Sequence, residues 1–271
     1  MNNVRDEKQS LQDLTSGRET TISAYFITKN EENTLGRAIE SVRWMNEIIV
    51  LDSGSTDKTV EIAERLGAKV SYAPFNSFHE QKSRAMKLCT GDWTINIDAD
   101  EEVTPELRLS IEQVLTTGDS PGKPYIYKIC RKNNYLGRWI KHCGWYPEYR
   151  TRLAKTGHAH WEAVPFPERL AGDGPVGVLS GDLLHRPYAD LGAHLKSIDR
   201  YTSMWAHSEA ESGRTTGLLN LLLRPAAKFI KMYLIRGGFL DLGPGLIASL
   251  MGAWYTFMKY ARLYELSRGS K

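Results

Sequence analysis

The chain has 271 residues, 41% of them hydrophobic, enough to bury a core as one large domain or a domain with a substantial appendage. Its formal charge of +3 is too small to mark a nucleic-acid binder. Cys89, Cys130 and Cys143 have neither metal-site nor redox spacing, and so sparse and odd a set suits a reducing compartment, with room for one bridge at most.

The opening MNNVRDEKQSLQDLTSGRET is polar and mixed in charge, so it is no signal peptide, and residues 1–20 read as a frayed tail. TISAYFITKN is apolar and β-branched, which predicts a buried strand over 21–28. EENTLGRAIESVRWM then carries Leu35, Ile39 and Val42 at helical spacing. NEIIVLDSGSTDKT gives a strand and a polar turn, in which Ser55 or Asp57 caps the helix TVEIAERLGA that Gly67 closes. KVSYAP is a short strand, HEQKSRAMKLCTG a helix, and DWTINIDAD another strand. Strands spaced by helices of this length form a parallel sheet covered on both faces, whose ligands gather outside the carboxyl ends of the strands. Asn30, Asp52 and Asp98 fall at those ends.

A helix follows in TPELRLSIEQVL, with Thr104 as cap and Pro105 at its first position. After the loop TTGDSPGKP, YIYKICRKNNY alternates like a strand. The aromatic-rich stretch from Gly137 to Phe166 reads as short antiparallel strands joined by long loops. Helical patterning returns from Tyr188 to about Ser212.

Paired carboxylates at a rigid strand end suit a hard divalent cation shared with phosphates, and Asp98 and Asp100 in IDAD have that placement. An acidic turn capping the next helix is the plainer alternative. Asp52 is placed to accept a hydrogen bond from a base or a sugar hydroxyl. The G-x-G-x-x-G fingerprint is absent after the first strand, which disfavours a nicotinamide dehydrogenase.

ISAYFITKNEENTLGRAIESV, IIVLDSGSTDKTVEIAERLGAKV, FHEQKSRAMKLCTGDWTINIDADEEV and LLHRPYADLGAHLKSIDRYTSMWA together resemble the family 2 glycosyltransferases of GT-A fold. The resemblance runs over roughly residues 21–265, and the nearest subgroup is the lipopolysaccharide core glucosyltransferases of Gram-negative bacteria. It implies a mostly parallel, Rossmann-like nucleotide-binding sheet over 21–215, completed by a mixed-strand acceptor region. It also implies inverting transfer of a hexose, glucose above others, from a UDP-sugar with Mg2+ or Mn2+. On the same resemblance Thr28, Asn30 and Glu32 line the nucleotide pocket and Asp52 meets the uracil and ribose. Lys82 and Arg84 line the diphosphate, Asp98 faces the ribose or sugar, and Asp100 binds the metal. His185 stands where many GT-A enzymes place a late metal or diphosphate ligand, unless it is a core histidine.

Inversion needs a general base opposite the leaving group, hence from the second half of the chain. GHAHWEAVPF offers Glu162, on one strand face with His160. The subgroup has histidine and glutamate adjacent there, whereas Trp161 separates them here, and an arginine-paired Glu162 is the structural alternative. Glu148 in WYPEYRTRL is the reserve base.

The segment 216–271 is apolar and basic, with Arg224, Lys228, Lys231, Arg236, Lys259, Arg262, Arg268 and Lys271 set against Asp241 and Glu265. Its longest uncharged run, LGPGLIASLMGAWYTFM, has 17 residues, at the lower edge of spanning length. It reads as an interfacial helical segment on an anionic membrane, and the resemblance implies a peripheral place at the cytoplasmic face of the inner membrane. A core or homo-oligomer helix is the alternative. A lipopolysaccharide precursor is the implied acceptor; a polyprenyl-phosphate or exopolysaccharide acceptor, or a non-catalytic nucleotide-sugar binder, are the other readings.

Overall fold

A computed structural model describes residues 19–117, 122–163 and 168–269. The tail expected over 1–20 lies, up to residue 18, outside the described residues.

The first half follows the expected alternation. Strands β1 (Ile22–Thr28), β2 (Glu47–Asp52), β3 (Lys69–Tyr72) and β4 (Trp93–Asn96) are joined by helices α1 (Leu35–Ser41), α2 (Thr59–Arg65) and α3 (Phe78–Lys87). β1 runs parallel to both β2 and β4, and β2 parallel to β3. β1 is apolar on both faces because both are covered. Ala24 and Phe26 join Leu35 and Ile39 in one core cluster, while Tyr25 joins Ile49 and Ala85 in another. Ser77 caps α3, and Thr104 caps α4 (Pro105–Thr117), its hydroxyl accepting the Leu107 N–H at 3.3 Å.

The second half does not form a separate region of short strands. β6 (Ile126–Tyr135) and β11 (Val176–His185) have ten residues each, and β8 (Glu148–Lys155) has eight. They extend the same sheet, in the order β3-β2-β1-β4-β8-β6-β11-β5, where β5 is Glu101–Val103 and β7 (Arg138–Trp139) pairs with β6. β8 lies antiparallel to β4, with Ile95 opposite Leu153, so the sheet turns from parallel to mixed at that seam. The charges within these strands are paired: Arg131 on β6 with Glu148 on β8, and Arg152 on β8 with Glu101 on β5. β9 (Ala159–Glu162) and β10 (Arg169–Gly172) form a two-stranded sheet, with Trp161 and Leu170 in the same core cluster as Tyr25 and Ala85.

Beyond β11, α5 (Leu191–Glu211) packs on the long C-terminal helix α7 (Leu242–Gly269), as does α6 (Leu218–Ile230). α6 runs on through a π turn to Ile235, and a 3-10 turn, Gly238–Asp241, leads into α7. Asp241 is 1% exposed and ties this segment to the sheet, accepting the backbone N–H of His142 at 2.8 Å and of Lys141 at 3.2 Å. All three cysteines are free thiols.

Candidate active site

The site begins where β1 and β2 end side by side, with Thr28 in register with Asp52. The Asp52 carboxylate is buried and takes four donors. One oxygen accepts the hydroxyls of Thr28 at 3.0 Å and Ser55 at 2.5 Å; the other accepts the N–H groups of Gly54 at 2.7 Å and Ser55 at 2.8 Å. Gly54 is required in this turn, because its φ of +89° is one that L side chains rarely adopt. Burial would raise the Asp52 pKa, yet these donors hold it below the ordinary value. With its lone pairs occupied, Asp52 first of all shapes the loop. A base or ribose contact requires one donor, most simply the Ser55 hydroxyl, to turn away.

The loop after β1 is stitched to the same turn. Asn30 sits at φ +59°, where asparagine is tolerated, and its side-chain oxygen accepts the Thr56 N–H at 2.8 Å. The Glu32 carboxylate accepts the Lys58 N–H at 3.1 Å. Thr28, Asn30, Glu32 and Asp52 thus form one polar lip, as expected of neighbouring strand ends.

Lys82 is no surface lysine. Its side chain is 3% exposed, with Nζ 2.9 Å from Asp98, 2.6 Å from Glu168 and 4.9 Å above the Trp161 ring centre. The ammonium is directed at Asp98 and Glu168. Arg84, two residues on, lies on another face of α3, since residues two apart on a helix do not share one. It donates to the Pro74 carbonyl at 3.2 Å and to Glu80 at 3.3 Å. The structure does not bring Arg84 together with Asp98.

The groups that fix Asp98 come from far along the chain. Arg152 on β8 is 4% exposed and donates to Asp98 and to the Asn96 side chain, each at 2.5 Å, and to Glu101 at 2.9 Å. Arg131 on β6 lies 3.5 Å from Glu101, which is fully buried. Burial opposes the Asp98 charge, but Arg152 and Lys82 outweigh it and hold the carboxyl well below its usual range. Arg131, Arg152 and Glu168 were not singled out from the sequence. The one available signal was Arg152 inside the strand-like YRTRLAK, a cation where an apolar residue is expected.

Asp100 and His185 are brought together. The imidazole Nε2 lies 3.2 Å from an Asp100 carboxylate oxygen, and Nδ1 lies 2.6 Å from the Asn133 side-chain oxygen. The Asn133 amide nitrogen donates to the Trp145 carbonyl and to Glu148, which fixes the orientation of that amide. Its oxygen can only accept, so Nδ1 carries a proton. In neutral His185, Nε2 is then a lone pair facing a carboxylate, and two acceptors 3.2 Å apart require a proton or a cation between them. Glu31, half-buried nearby, is pushed up by burial and then by the negative charges of Asp100, Asp57 and Asp98. These donors fit a divalent cation. Among the described residues no group of three or more His, Cys, Asp or Glu side chains is arranged to hold a metal, and a cation at this pair would take water or substrate oxygens for the rest of its shell.

The two candidate bases are placed differently. Glu162 is on β9, where neighbouring side chains point to opposite faces. Trp161 faces inward, its indole donating to the Tyr25 hydroxyl at 2.9 Å, while Glu162 is turned outward and paired with Arg169 at 2.7 and 3.0 Å. It is joined to neither Asp98 nor Asp100, and the arginine-paired alternative is the arrangement found. Glu148 belongs to the His185 side of the site. It accepts from Asn133 at 3.3 Å, from Arg131 at 2.9 Å and from Arg150 at 2.7 Å, and these cations keep it ionised against the effect of burial.

Residues 23–165 match the model of glycosyl transferase family 2. An uncharacterized glycosyltransferase of Rickettsia typhi is 31% identical over 259 residues, covering 92% of this chain and 89% of that protein. A lipopolysaccharide core biosynthesis glycosyltransferase of Rhizobium meliloti is 28% identical over 257 residues, covering 90% and 92%. Among solved structures, glucosyl-3-phosphoglycerate synthase from Mycobacterium tuberculosis, in complex with Mn2+, UDP and glucosyl-3-phosphoglycerate, is 29% identical. That similarity covers 48% of each chain, with a TM-score of 0.35. Staphylococcus aureus TarS in complex with UDP-GlcNAc is 16% identical over 93% of each chain, with a TM-score of 0.47. At these scores neither superposition transfers a residue's role. The polar strand ends, the paired Asp100 and His185 and the family match converge: this chain belongs to glycosyl transferase family 2.

Proposed function

We propose that the chain transfers a hexose, glucose in the first instance, from a UDP-sugar to a lipid-linked saccharide, with inversion at the anomeric carbon. The observation that carries this is the Asp100–His185 pair, two lone-pair donors 3.2 Å apart beside the strand-end lip. A Mg2+ or Mn2+ held there supplies Lewis-acid stabilisation to a departing diphosphate. The chain's own residues do the rest. Asn133 keeps the His185 tautomer, Arg152 and Lys82 keep Asp98 ionised and fixed, and the loop around Asp52 frames the nucleoside.

The acceptor hydroxyl needs a carboxylate within reach, and Glu148 is the better supported base because Asn133 links it to the site while Glu162 is paired outward with Arg169. The relative from Rhizobium meliloti, active in lipopolysaccharide core biosynthesis by its name, supports a lipopolysaccharide core precursor as acceptor. A polyprenyl-phosphate or exopolysaccharide acceptor fits the same residues. A purely nucleotide-sugar-binding role would use Asp100 and His185 in the same way, and sugar transfer from a bound UDP-sugar separates the two readings.

Calorimetry tests the reading. UDP binds the wild-type chain with Mn2+, and binds at least tenfold more weakly in excess chelator or after Asp100→Ala. Equal affinity in all three conditions overturns the metal assignment, and tighter binding of GDP than of UDP overturns the choice of donor.

A further inference from the structure

A cavity of about 180 Å³ lies between the C-terminal helices and the β7–β8 connection. It is smaller than the roughly 300–1,000 Å³ of sites for drug-sized ligands, so it accommodates a single ring. Trp145, Tyr188, Tyr201 and Tyr255 line it with aromatic surface, and His194 and Lys228 are the basic side chains in its lining. Tyr188 stacks on His194 with ring centres 4.1 Å apart, and His194 Nδ1 is engaged by the Tyr135 hydroxyl at 2.8 Å.

The cavity adjoins the transfer site through shared residues. Tyr188 comes three positions after His185 and is close enough to Asp100 and Arg131 for both charges to act on its phenol. The Trp145 carbonyl accepts from Asn133, whose oxygen holds His185. The far wall is built by Lys228, Met232, Met251 and Tyr255, from the same helices whose outer faces are apolar and exposed. Lys228 has no carboxylate within ion-pair distance among the described residues, and its nearest charged influences are the cations Lys231 and Arg236. A cation crowded by cations in the wall of an aromatic pocket is the complement of an anion on a ring-shaped ligand.

We propose that this cavity is the acceptor subsite, that it seats one sugar ring on the Trp145–Tyr188–Tyr255 surface, and that Lys228 binds an acidic substituent, phosphate or carboxylate, on that sugar. The inference rests on the reading of the chain as a transferase to a lipid-linked saccharide. It adds that the acceptor is anionic beside the reacting hydroxyl and enters between the helices.

The test uses the full chain with methyl-labelled methionines, because Met232 and Met251 line the cavity and report its occupancy. Glucose, glucose 6-phosphate, glucuronate and inorganic phosphate are titrated in turn, with UDP affinity measured beside them. The two anionic hexoses are expected to shift the Met232 and Met251 signals at concentrations at least tenfold below glucose. Lys228→Met removes that advantage and Lys228→Arg restores it. If glucuronate alone keeps the advantage the substituent is a carboxylate, and if glucose 6-phosphate alone keeps it a phosphate; either supports the subsite. Equal binding of glucose and the charged hexoses, phosphate binding as tightly as glucose 6-phosphate, or a Lys228→Met chain that binds all four unchanged overturns it. A Lys228→Met chain that loses UDP together with the sugar phosphates also overturns it, since Lys228 then serves the donor. Failure of UDP to bind the wild-type chain counts against the transferase reading itself.

Discussion

Arg152 shows how a few side chains hold this site. It satisfies Asp98, Glu101 and Asn96 at once from an interior where an unpaired charge is expensive. Arg152→Met is therefore expected to destabilise the chain by about 1–3 kcal/mol, because it removes the cation that Asp98 and Glu101 share and leaves them Lys82 and Arg131 alone. Urea denaturation at neutral pH measures this, and a loss under 1 kcal/mol would remove Arg152 from the network. His194 is the complementary case, a buried group kept neutral. Burial pushes its pKa from the ordinary 6.5 down to about 4. Between those values the unfolded chain binds a proton that the folded chain refuses, so stability falls as pH drops from about 6.5 to about 4 and levels off below. The magnitude is on the order of 3 kcal/mol. His194→Gln should flatten this part of the pH–stability curve, and an unchanged curve would assign the pH dependence to other groups.

At the level of elements, strand alternation and pairing choose between the candidate bases. β9 turns Trp161 inward and Glu162 outward to Arg169, whereas β8 lies beside β6 and places Glu148 against Arg131 and Asn133. Glu148→Gln keeps size and most hydrogen bonding but removes the proton-accepting charge. It is expected to leave UDP affinity nearly intact and to lower turnover by roughly 10²–10⁴, the usual contribution of a general base. Glu162→Gln should turn over within about twofold of wild type, because its partner is an exposed arginine and such pairs contribute little. Steady-state kinetics with both variants decides, and a dead Glu162→Gln beside an active Glu148→Gln reverses the assignment.

The molecule as a whole has a sheet that carries the site and a helical cap with an apolar outer surface. Leu218, Leu219, Leu222 and Leu223 are 61–71% exposed, and Ile235, Leu242 and Leu250 continue the surface across the bend. Among the described residues no single helix is long and apolar enough to cross a membrane, but the bent pair Leu218–Ile235 and Gly238–Arg268, inclined at 69°, passes that test jointly. Asp241 at the bend is buried and committed to the Lys141 and His142 amides, which fixes the bent form. An exposed apolar surface of this kind flanked by Arg224, Lys231 and Arg236 suits an anionic bilayer surface. Sedimentation with liposomes should show binding that grows with the anionic lipid fraction and weakens with salt. Leu222→Glu with Leu223→Glu should abolish it while leaving UDP affinity unchanged. Retention of the native protein through a carbonate wash would instead indicate insertion.

The sequence alone determined the α/β alternation of the first half, the polar lip at Thr28, Asn30 and Asp52, and the placement of Asp98 and Asp100 just beyond a strand end. These follow from local rules: hydrophobic period sets strand and helix, and a parallel sheet gathers its loop residues at one edge. The pairing of Asp100 with His185 was open in the sequence, and the register of β11 against β5, with His185 opposite Glu101, brought the two together. The partners of Asp98 were decided wholly by tertiary structure. Arg152 is 54 residues from it in the chain, and only the antiparallel seam of β8 on β4 brings them together. The face that Glu162 occupies was open in the sequence for the same reason: alternation tells which residues share a face, while the packing of Trp161 onto Tyr25 decides which face is inside.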